Sequence, residues 1–167
     1  ALRVARAAGS AEEALSAVRS APEGLRHAVA MAALRGLPAH EASSLVRRGA
    51  SSGALPPALA SAAAEVAIRA HGREGGPRGV LTAALELLSP PGEGIAATDG
   101  ALAEVVGACR RVAEPDVALA TWRGLAGDPG ERPRGRRAHG ALLEACCGSP
   151  AVLRAAAAEA SRAGVTP

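Results

Sequence analysis

The chain has 167 residues, of which 49% are hydrophobic and 21% are charged, and its net charge at pH 7 is +3. This length holds one domain or one run of stacked repeats, and the hydrophobic content excludes a chain that is disordered throughout. Only 1% of the residues are aromatic, and Lys, Asn and Gln do not occur, so all 19 basic residues are Arg. Because most of the missing residue types have A/T-rich codons, much of this composition reflects a GC-biased gene. The positive charge permits an anionic partner without requiring one.

The cysteines give information on the compartment, whereas the start of the chain does not. Cys109, Cys146 and Cys147 cannot form a disulfide framework, which favours a reducing environment. No run approaches the roughly 18 consecutive apolar residues of a membrane span. The sequence starts without Met in an apparent helix, so we expect a piece of a longer protein. The lack of a transit or signal peptide therefore carries no information on targeting.

The predicted elements are all helices. Apolar residues recur at helical spacing between short Gly/Pro breaks, and no alternating β-branched run occurs. Glycines such as Gly9 and Gly36 stand where a helix can end, and prolines such as Pro57 and Pro115 stand where one can begin. In chain order, the predicted helices cover residues 1–8, 11–20, 24–35, 38–48, 56–72, 77–89, 98–112, 115–126, 137–147 and 150–164. They form five antiparallel pairs.

The helix pairs recur with a regular period. Segments such as RAAGSAEEAL (6–15) and RRVAEPDVAL (110–119) combine a helix end, a tight break and a second helix that opens with Ala and Leu. Between Ala14 and Ala155 the mean interval is about 35 residues. Such a period predicts an α-solenoid of about five antiparallel helix pairs, a single helical-repeat array over 1–167. The approximate repeats are 1–23, 24–55, 56–97, 98–136 and 137–167. Hydrophobic periodicity by itself leaves an ordinary helix bundle open.

Two segments resemble pentatricopeptide repeats. TDGALAEVVGACRRVAEPDVALATWRGL (98–125) ends its first helix in an Ala-Cys step and has the family's Ala-Leu, aromatic and Leu spacing in its second helix. AHGALLEACCGSPAVLRAAAAEASRAGVTP (138–167) resembles the same motif and closes with a similar terminal turn, and RAAGSAEEALSAVR (6–19) matches the motif's centre. Tetratricopeptide repeats have nearly the same period, but the GVTP ending and the Ala-Cys steps favour the pentatricopeptide family.

The resemblance implies a non-enzymatic protein of a mitochondrion or plastid that associates with RNA. Members of the family read one base per repeat, through a polar residue early in the first helix and another at the end of the repeat. Here Ala103 and Gly140 stand at the first of these positions, and Asn is absent from the chain. Because neither residue has a side-chain donor or acceptor, we expect no base-specific reading from these positions.

Contact with the RNA backbone is the remaining mode of binding. Arginines in two turns are candidates for phosphate contacts, because the guanidinium group can bind phosphate in a bidentate manner. They are Arg110, Arg111, Arg132, Arg134, Arg136 and Arg137. The alternative is that they pair with carboxylates such as Glu144, or are solvated charges, as we expect of Arg47, Arg48 and Arg78.

The only tryptophan has two possible roles, a platform for a ligand or a core residue. Ala118, Trp122 and Leu125 stand at i, i+4 and i+7, so the indole lies on the apolar stripe of its helix. Large apolar residues at helical spacing are usually buried. The spacing therefore predicts a core position for Trp122.

Residues suited to catalysis or metal binding do not form a recognisable pattern. The four histidines are isolated, and two residues such as His139 and Cys146 do not make a zinc site. GREGGPRG (72–79) lacks the preceding strand and the Gly-Lys-Ser/Thr ending of a phosphate loop, and is interpreted as an inter-helix turn. The three cysteines are expected to be small buried hydrophobes. We expect no cofactor and no metal, and an enzyme would need a catalytic domain outside these residues.

Two functions remain in view. The first is a pentatricopeptide-like helical-repeat adaptor in an organellar assembly, associated with single-stranded or structured RNA through backbone contacts. The second is a purely structural scaffold subunit that contacts other protein subunits of a large organellar complex. The missing base-reading residues favour the second, and the resemblance favours the first. Neither involves a membrane span or a small-molecule substrate.

Overall fold

The computed structural model describes residues 2–88, 94–126 and 135–165, which form nine helices and no strand. In chain order the helices are α1 (Leu2–Ala7), α2 (Ala11–Ser20), α3 (Glu23–Gly36), α4 (Ala39–Ser51), α5 (Pro57–Leu87), α6 (Asp99–Val112), α7 (Pro115–Ala126), α8 (Arg136–Cys146) and α9 (Pro150–Arg162). The prediction of an all-α chain is confirmed for these residues. None of the helices in the described ranges is long and apolar enough to cross a membrane.

The helix starts have local causes in the sequence. The side-chain oxygen of Ser10 accepts a hydrogen bond from the backbone N–H of Glu13 at the start of α2. Thr98 caps α6 in the same way, through the N–H of Ala101 at 3.0 Å. Pro residues occupy the first position of α5, α7 and α9, where a missing N–H costs nothing. Outside α5, the predicted helix ends are therefore correct to within three residues.

The fifth helical run contains the two helices predicted at 56–72 and 77–89, with the break between them at Gly76. The run is continuous from Pro57 to Leu87, but Gly76 has φ 62° and ψ −153°, outside the helical region. A Cβ atom on Gly79 would lie only 2.5 Å from the carbonyl oxygen of His71. In a straight helix these two residues would be about 12 Å apart. The chain therefore reverses direction at Gly76, and α5 consists of two helical segments, 57–75 and 77–87.

Helix packing follows chain order. Close packing joins α1 to α2 and α3, α2 to α3 and α4, and both α3 and α4 to α5. Beyond α5, it joins α5 to α6, α6 to α7 and α8, and α7 to α8 and α9, while α8 also packs on α9. Within the described ranges, close packing does not join α1–α4 directly to α6–α9. The buried residues nevertheless form one continuous cluster from Ala5 to Ala156.

The core is built mainly from alanine, leucine and valine. Leu34, Leu45, Ile68, Leu102 and Leu142 are among its largest fully buried side chains. Alanine fills most other positions in the cluster. Small side chains let helix axes approach closely, but each one buries little apolar area.

Trp122 is the one large aromatic side chain in this core, as predicted. Only 3% of its surface is exposed. The edge of its ring system meets the ring of His139, with centroids 4.9 Å apart and an interplanar angle of 61°. The Nδ1 atom of His139 donates to the carbonyl oxygen of Gly135 at 3.2 Å. The pair of rings therefore joins α7 to the first turn of α8.

Replacing Trp122 by Ala should lower the free energy of unfolding by about 3–5 kcal/mol, because the change removes a buried ring that small neighbours cannot replace. Urea denaturation followed by circular dichroism measures this. The control is Leu85→Ala, since the Leu85 side chain is 87% exposed, and should change stability by less than about 0.5 kcal/mol. Equal effects of the two changes would contradict the core role of Trp122.

Candidate functional site

A line of charged side chains crosses the three helices α5, α6 and α8. Glu104 of α6 pairs with Arg69 of α5 at 3.1 Å and with Arg137 of α8 at 3.2 Å. Arg69 also pairs with Glu65, one turn earlier on α5, at 2.6 Å. We call the surface along this line the charged groove. It comprises Arg69, Arg73, Glu104, Arg111, Arg136, Arg137 and Glu144.

Two cavities open along the charged groove. The first, of about 300 Å³, lies between α5 and the C-terminal end of α6, and Arg69, Arg73, Glu104 and Arg111 contribute to its walls. We call it the α5–α6 cavity. The second, of about 290 Å³, lies between α6 and α8 and is bordered by Ala103, Glu104, Arg136, Arg137, Gly140, Ala141 and Glu144. We call it the α6–α8 cavity. Glu104 borders both, so the two cavities are adjacent.

The two cavities differ in charge. Three arginines and one glutamate line the α5–α6 cavity, so its walls carry an excess of positive charge. Two arginines and two glutamates line the α6–α8 cavity, so its charges balance. An anion is therefore favoured in the α5–α6 cavity over its neighbour.

The six arginines singled out from the sequence have different surroundings. Arg111 lines the α5–α6 cavity, whereas Arg136 and Arg137 line the α6–α8 cavity. Arg110 pairs with Glu144 at 2.7 Å, which is the ion-pair alternative considered above. Arg111 and Arg136 are exposed and form no ion pair with any residue that the structure describes. Arg132 and Arg134 lie outside the described residues.

Arg69, Arg73 and Glu104 were not among the candidates from the sequence. Arg73 lies in GREGGPRG (72–79), which does contain an inter-helix turn, but the turn also brings Arg73 to a cavity wall. The missed signal is the i, i+4 spacing of Arg69 and Arg73, which places both on one helix face. Only the packing of α5 against α6 shows that α6 supplies the residues that face Arg69 and Arg73.

Ala103 and Gly140, from which no base-specific reading is expected, lie in the wall of the α6–α8 cavity. Ala103 is mostly buried, and Gly140 is half-buried with open space where a Cβ atom would stand. Neither brings a side-chain donor or acceptor to the cavity. The hydrogen-bonding groups there belong to Arg136, Arg137 and the two glutamates.

Three carboxylates accept hydrogen bonds from backbone N–H groups at the starts of other helices. Glu41 accepts from the backbone N–H of Ala11 at 2.6 Å, and Glu74 accepts from that of Ala39 at 2.9 Å. Asp99 accepts from the N–H of Gly135 at 2.7 Å. A carboxylate at a helix N-terminus both satisfies a free N–H and complements the helix dipole. These side chains thus stabilise helix starts.

Ser43 and His71 are two potential catalytic groups that contact each other. The Oγ atom of Ser43 and Nε2 of His71 lie 2.9 Å apart, but Ser43 is 2% exposed, so its hydroxyl joins α4 to α5 inside the protein. Within 2–88, 94–126 and 135–165, no group of three or more His, Cys, Asp or Glu side chains could hold a metal ion.

The three cysteines divide into two classes. Cys109 and Cys146 are buried, as expected, whereas Cys147 is exposed, so the prediction of a buried role was wrong for this residue. Cys147 follows the last residue of α8, where the chain leaves the core-facing stripe. Burial raises the pKa of the Cys109 thiol, and a hydrogen bond with Thr121 opposes part of the rise. Burial, followed by the charge of Cys147, raises the pKa of the Cys146 thiol.

Alkylation should therefore distinguish the cysteines. With iodoacetamide near pH 8, Cys147 should react at least about tenfold faster than the other two, because only the accessible thiolate is nucleophilic and a raised pKa lowers its fraction. Peptide mass spectrometry over a time course gives the three rates. Unfolding in urea should make the rates similar. Rapid labelling of Cys109 in the native protein would contradict its buried position.

Comparison of the chain with protein-family models, with curated proteins and with solved structures gave no match.

Proposed function

We propose that the helices form an α-solenoid of five antiparallel pairs, related to pentatricopeptide repeats. The pairs are α1–α2, α3–α4, the two segments of α5, α6–α7 and α8–α9. Packing only between helices that are near in the chain supports this arrangement. In the second pair, α3 packs on α1, α2 and α5, and α4 packs on α2 and α5, rather than closely on each other.

The spacing of hydrogen bonds between helices gives independent support. Several of these bonds join residues 33 to 36 positions apart, close to the repeat length read from the sequence. They are Glu74 with Ala39, Arg69 with Glu104, Asp99 with Gly135, Glu104 with Arg137, Arg110 with Glu144, and Arg123 with Glu159. Recurrence at one repeat length is typical of equivalent positions in stacked repeats.

A solenoid should exchange its amide hydrogens in a graded manner along the stack. We expect the slowest exchange in α5 and α6, which have packed neighbours on both sides, and faster exchange towards α1 and α9. Hydrogen–deuterium exchange with mass spectrometry measures this profile. Uniform protection in all nine helices, lost in one cooperative step, would instead support an ordinary bundle.

We infer that the function of this array is to associate with RNA through its phosphate backbone, in an organellar assembly as the family resemblance implies. The observation that carries this inference is the set of arginines with no ion-pair partner among the described residues of the charged groove: Arg73, Arg111 and Arg136. They lie on the first helices of three successive pairs. An RNA strand laid across α5, α6 and α8 would therefore meet one arginine after another. Guanidinium groups bind phosphate through paired N–H donors.

The same groove offers little for recognising bases. Ala103 and Gly140 lack polar side chains, and the single aromatic ring, Trp122, is buried and unavailable for stacking. Binding energy must then come mostly from phosphate contacts and counterion release, which do not depend on sequence. The proposed activity is thus sequence-tolerant RNA association without catalysis.

Fluorescence anisotropy with single-stranded RNAs of different sequence tests the proposal. The wild-type chain should bind all of them at low salt and lose affinity steeply as salt rises. The double change Arg111→Gln and Arg136→Gln should weaken binding and reduce the slope of log K against log salt by about 0.7 for each lost contact.

The matched control removes two other exposed arginines, with Arg47→Gln on α4 and Arg154→Gln on α9. Neither residue lines a cavity of the charged groove. This double variant has the same net charge as the test variant but should retain wild-type binding. Equal losses in the two variants, or strong preference for one RNA sequence, would contradict the proposed mode.

A protein scaffold is the second candidate, and exposed apolar side chains favour it. Leu85 on the second segment of α5 is 87% exposed, and Val112 and Val117 flank the turn between α6 and α7 with 45% exposed each. Exposed apolar groups of this kind are used in contacts between proteins. If the chain binds no RNA at low salt, we would adopt the scaffold function in place of RNA association.

A further inference from the structure

We propose that the α5–α6 cavity is a binding site for a single phosphate group, held between Arg73 and Arg111. This goes beyond RNA association along the groove, because it assigns a discrete site with defined stoichiometry. It also holds if the phosphate belongs to a small molecule. The chemical class is a tetrahedral oxyanion, either inorganic phosphate or a phosphate monoester.

The first observation is the state of the three arginines in the cavity wall. Arg69 is already neutralised, because its Nε atom donates to Glu104 and its terminal nitrogen to Glu65. Arg73 and Arg111 form no hydrogen bond or ion pair with any residue in the described ranges. Two guanidinium groups that have no ion-pair partner among the described residues therefore border one cavity.

The second observation is the contrast with the α6–α8 cavity. That cavity has nearly the same volume, but Arg137 is paired with Glu104, and Glu144 is also part of its wall. Size alone thus does not distinguish the two cavities, whereas charge does. An oxyanion that enters the groove would be attracted to the α5–α6 cavity and would gain no net charge compensation in its neighbour.

The third observation concerns the uncharged part of the wall, which lies at the chain reversal within α5. Gly72, Gly76, Pro77 and Val80 contribute there, and none carries a charge. A Cβ atom on Gly72 would lie 2.9 Å from the Cγ2 atom of Val80, so a larger residue would disturb the wall. Pro77 starts the second segment of α5, and the start of a helix has partial positive charge.

The volume of the cavity limits the size of the organic group to which the phosphate is attached. Its volume of about 300 Å³ is at the lower end of the range for small-molecule sites. A phosphate with a small organic group fits this volume, whereas a folded RNA element does not. Arg73 and Arg111 would each contribute two parallel N–H donors, which match the oxygens of a phosphate.

Isothermal titration of the full 167-residue chain with inorganic phosphate, in a low-salt buffer without other multivalent anions, tests the site. We expect one phosphate per chain. Arg73→Gln and Arg111→Gln should each weaken binding at least tenfold, and Arg73→Lys should have a smaller effect because it keeps the charge but loses the paired donors. Arg154→Gln, on exposed α9, is the charge-matched control and should leave affinity unchanged within twofold.

A substitution that should strengthen phosphate binding adds a further test, because a variant that unfolds would not bind phosphate more tightly. Glu104→Gln removes the one negative charge that the described residues contribute to the wall of the α5–α6 cavity and should tighten phosphate binding several-fold. Circular dichroism spectra of all variants should match that of the wild type. Absence of a one-to-one phosphate complex with the wild type, equal loss in Arg154→Gln, or weaker binding in Glu104→Gln would overturn the proposal.

A second titration identifies the source of the phosphate. A trinucleotide RNA with a 5′-phosphate is compared with the same RNA carrying a 5′-hydroxyl. Tighter binding of the phosphorylated form, lost in Arg73→Gln, would assign the site to a terminal phosphate of a nucleic acid. Phosphate binding with no difference between the two RNAs would assign it to inorganic phosphate or a small phosphate ester, and either result supports the site.

The outcomes also separate this proposal from RNA association. A chain that binds inorganic phosphate but no single-stranded RNA would support the cavity and contradict the RNA proposal. A chain that binds RNA at low salt but not inorganic phosphate would contradict the cavity and leave the RNA proposal in place.

Discussion

The packing of alanine-rich helix faces against neighbouring helices is the constraint on which the rest of this structure depends. Ala63, Ala64 and Ala67 on α5 are fully buried, as are many alanines of the other helices. An alanine buries so little apolar surface that burial within one helix pair does not offset the conformational entropy lost when the pair becomes ordered. Stability in the described ranges must therefore accumulate from packing between helices that are near in the chain, such as α4 on α5 and α6 on α8. The close approach of Gly72 to Val80 and of Gly79 to His71 shows how tightly such small residues let helices cross.

A layer of polar contacts between helices accompanies the apolar core, and several of them join residues 33 to 36 positions apart. Carboxylates of one helix cap the start of another, as Asp99 does at Gly135, or pair with an arginine of a neighbouring helix, as Glu104 does with Arg137. Exposed ion pairs of this kind add little free energy individually. Their main effect here is on charge, because they neutralise some arginines of the groove, whereas Arg73, Arg111 and Arg136 have no ion-pair partner among the described residues. The difference between the two cavities follows from which arginines pair with a glutamate of a neighbouring helix.

Much of the fold was predictable from the sequence because its signals are local. Proline at helix starts and glycine at breaks mark most helix ends, and the spacing of Ala118, Trp122 and Leu125 predicts the buried indole. Less of the site was predictable. The ion pair between Arg110 and Glu144, the contribution of Arg73 to a cavity and the exposure of Cys147 depend on contacts or helix ends that spacing along the chain does not define. The position of the break within α5 also required the conformation of one residue, Gly76.

The sequence by itself determined the helical class, the approximate position of each helix and the absence of polar side chains at Ala103 and Gly140, since these depend on local propensity, periodicity and residue type. Only the tertiary structure decided which arginines have partners. Arg69 and Arg111 are far apart in the chain, and they border one cavity because α5 packs on α6. Whether a charge is neutralised depends on distances of a few ångströms between residues some 35 positions apart. Those distances are set by how neighbouring helices pack, which residue types and their spacing do not specify.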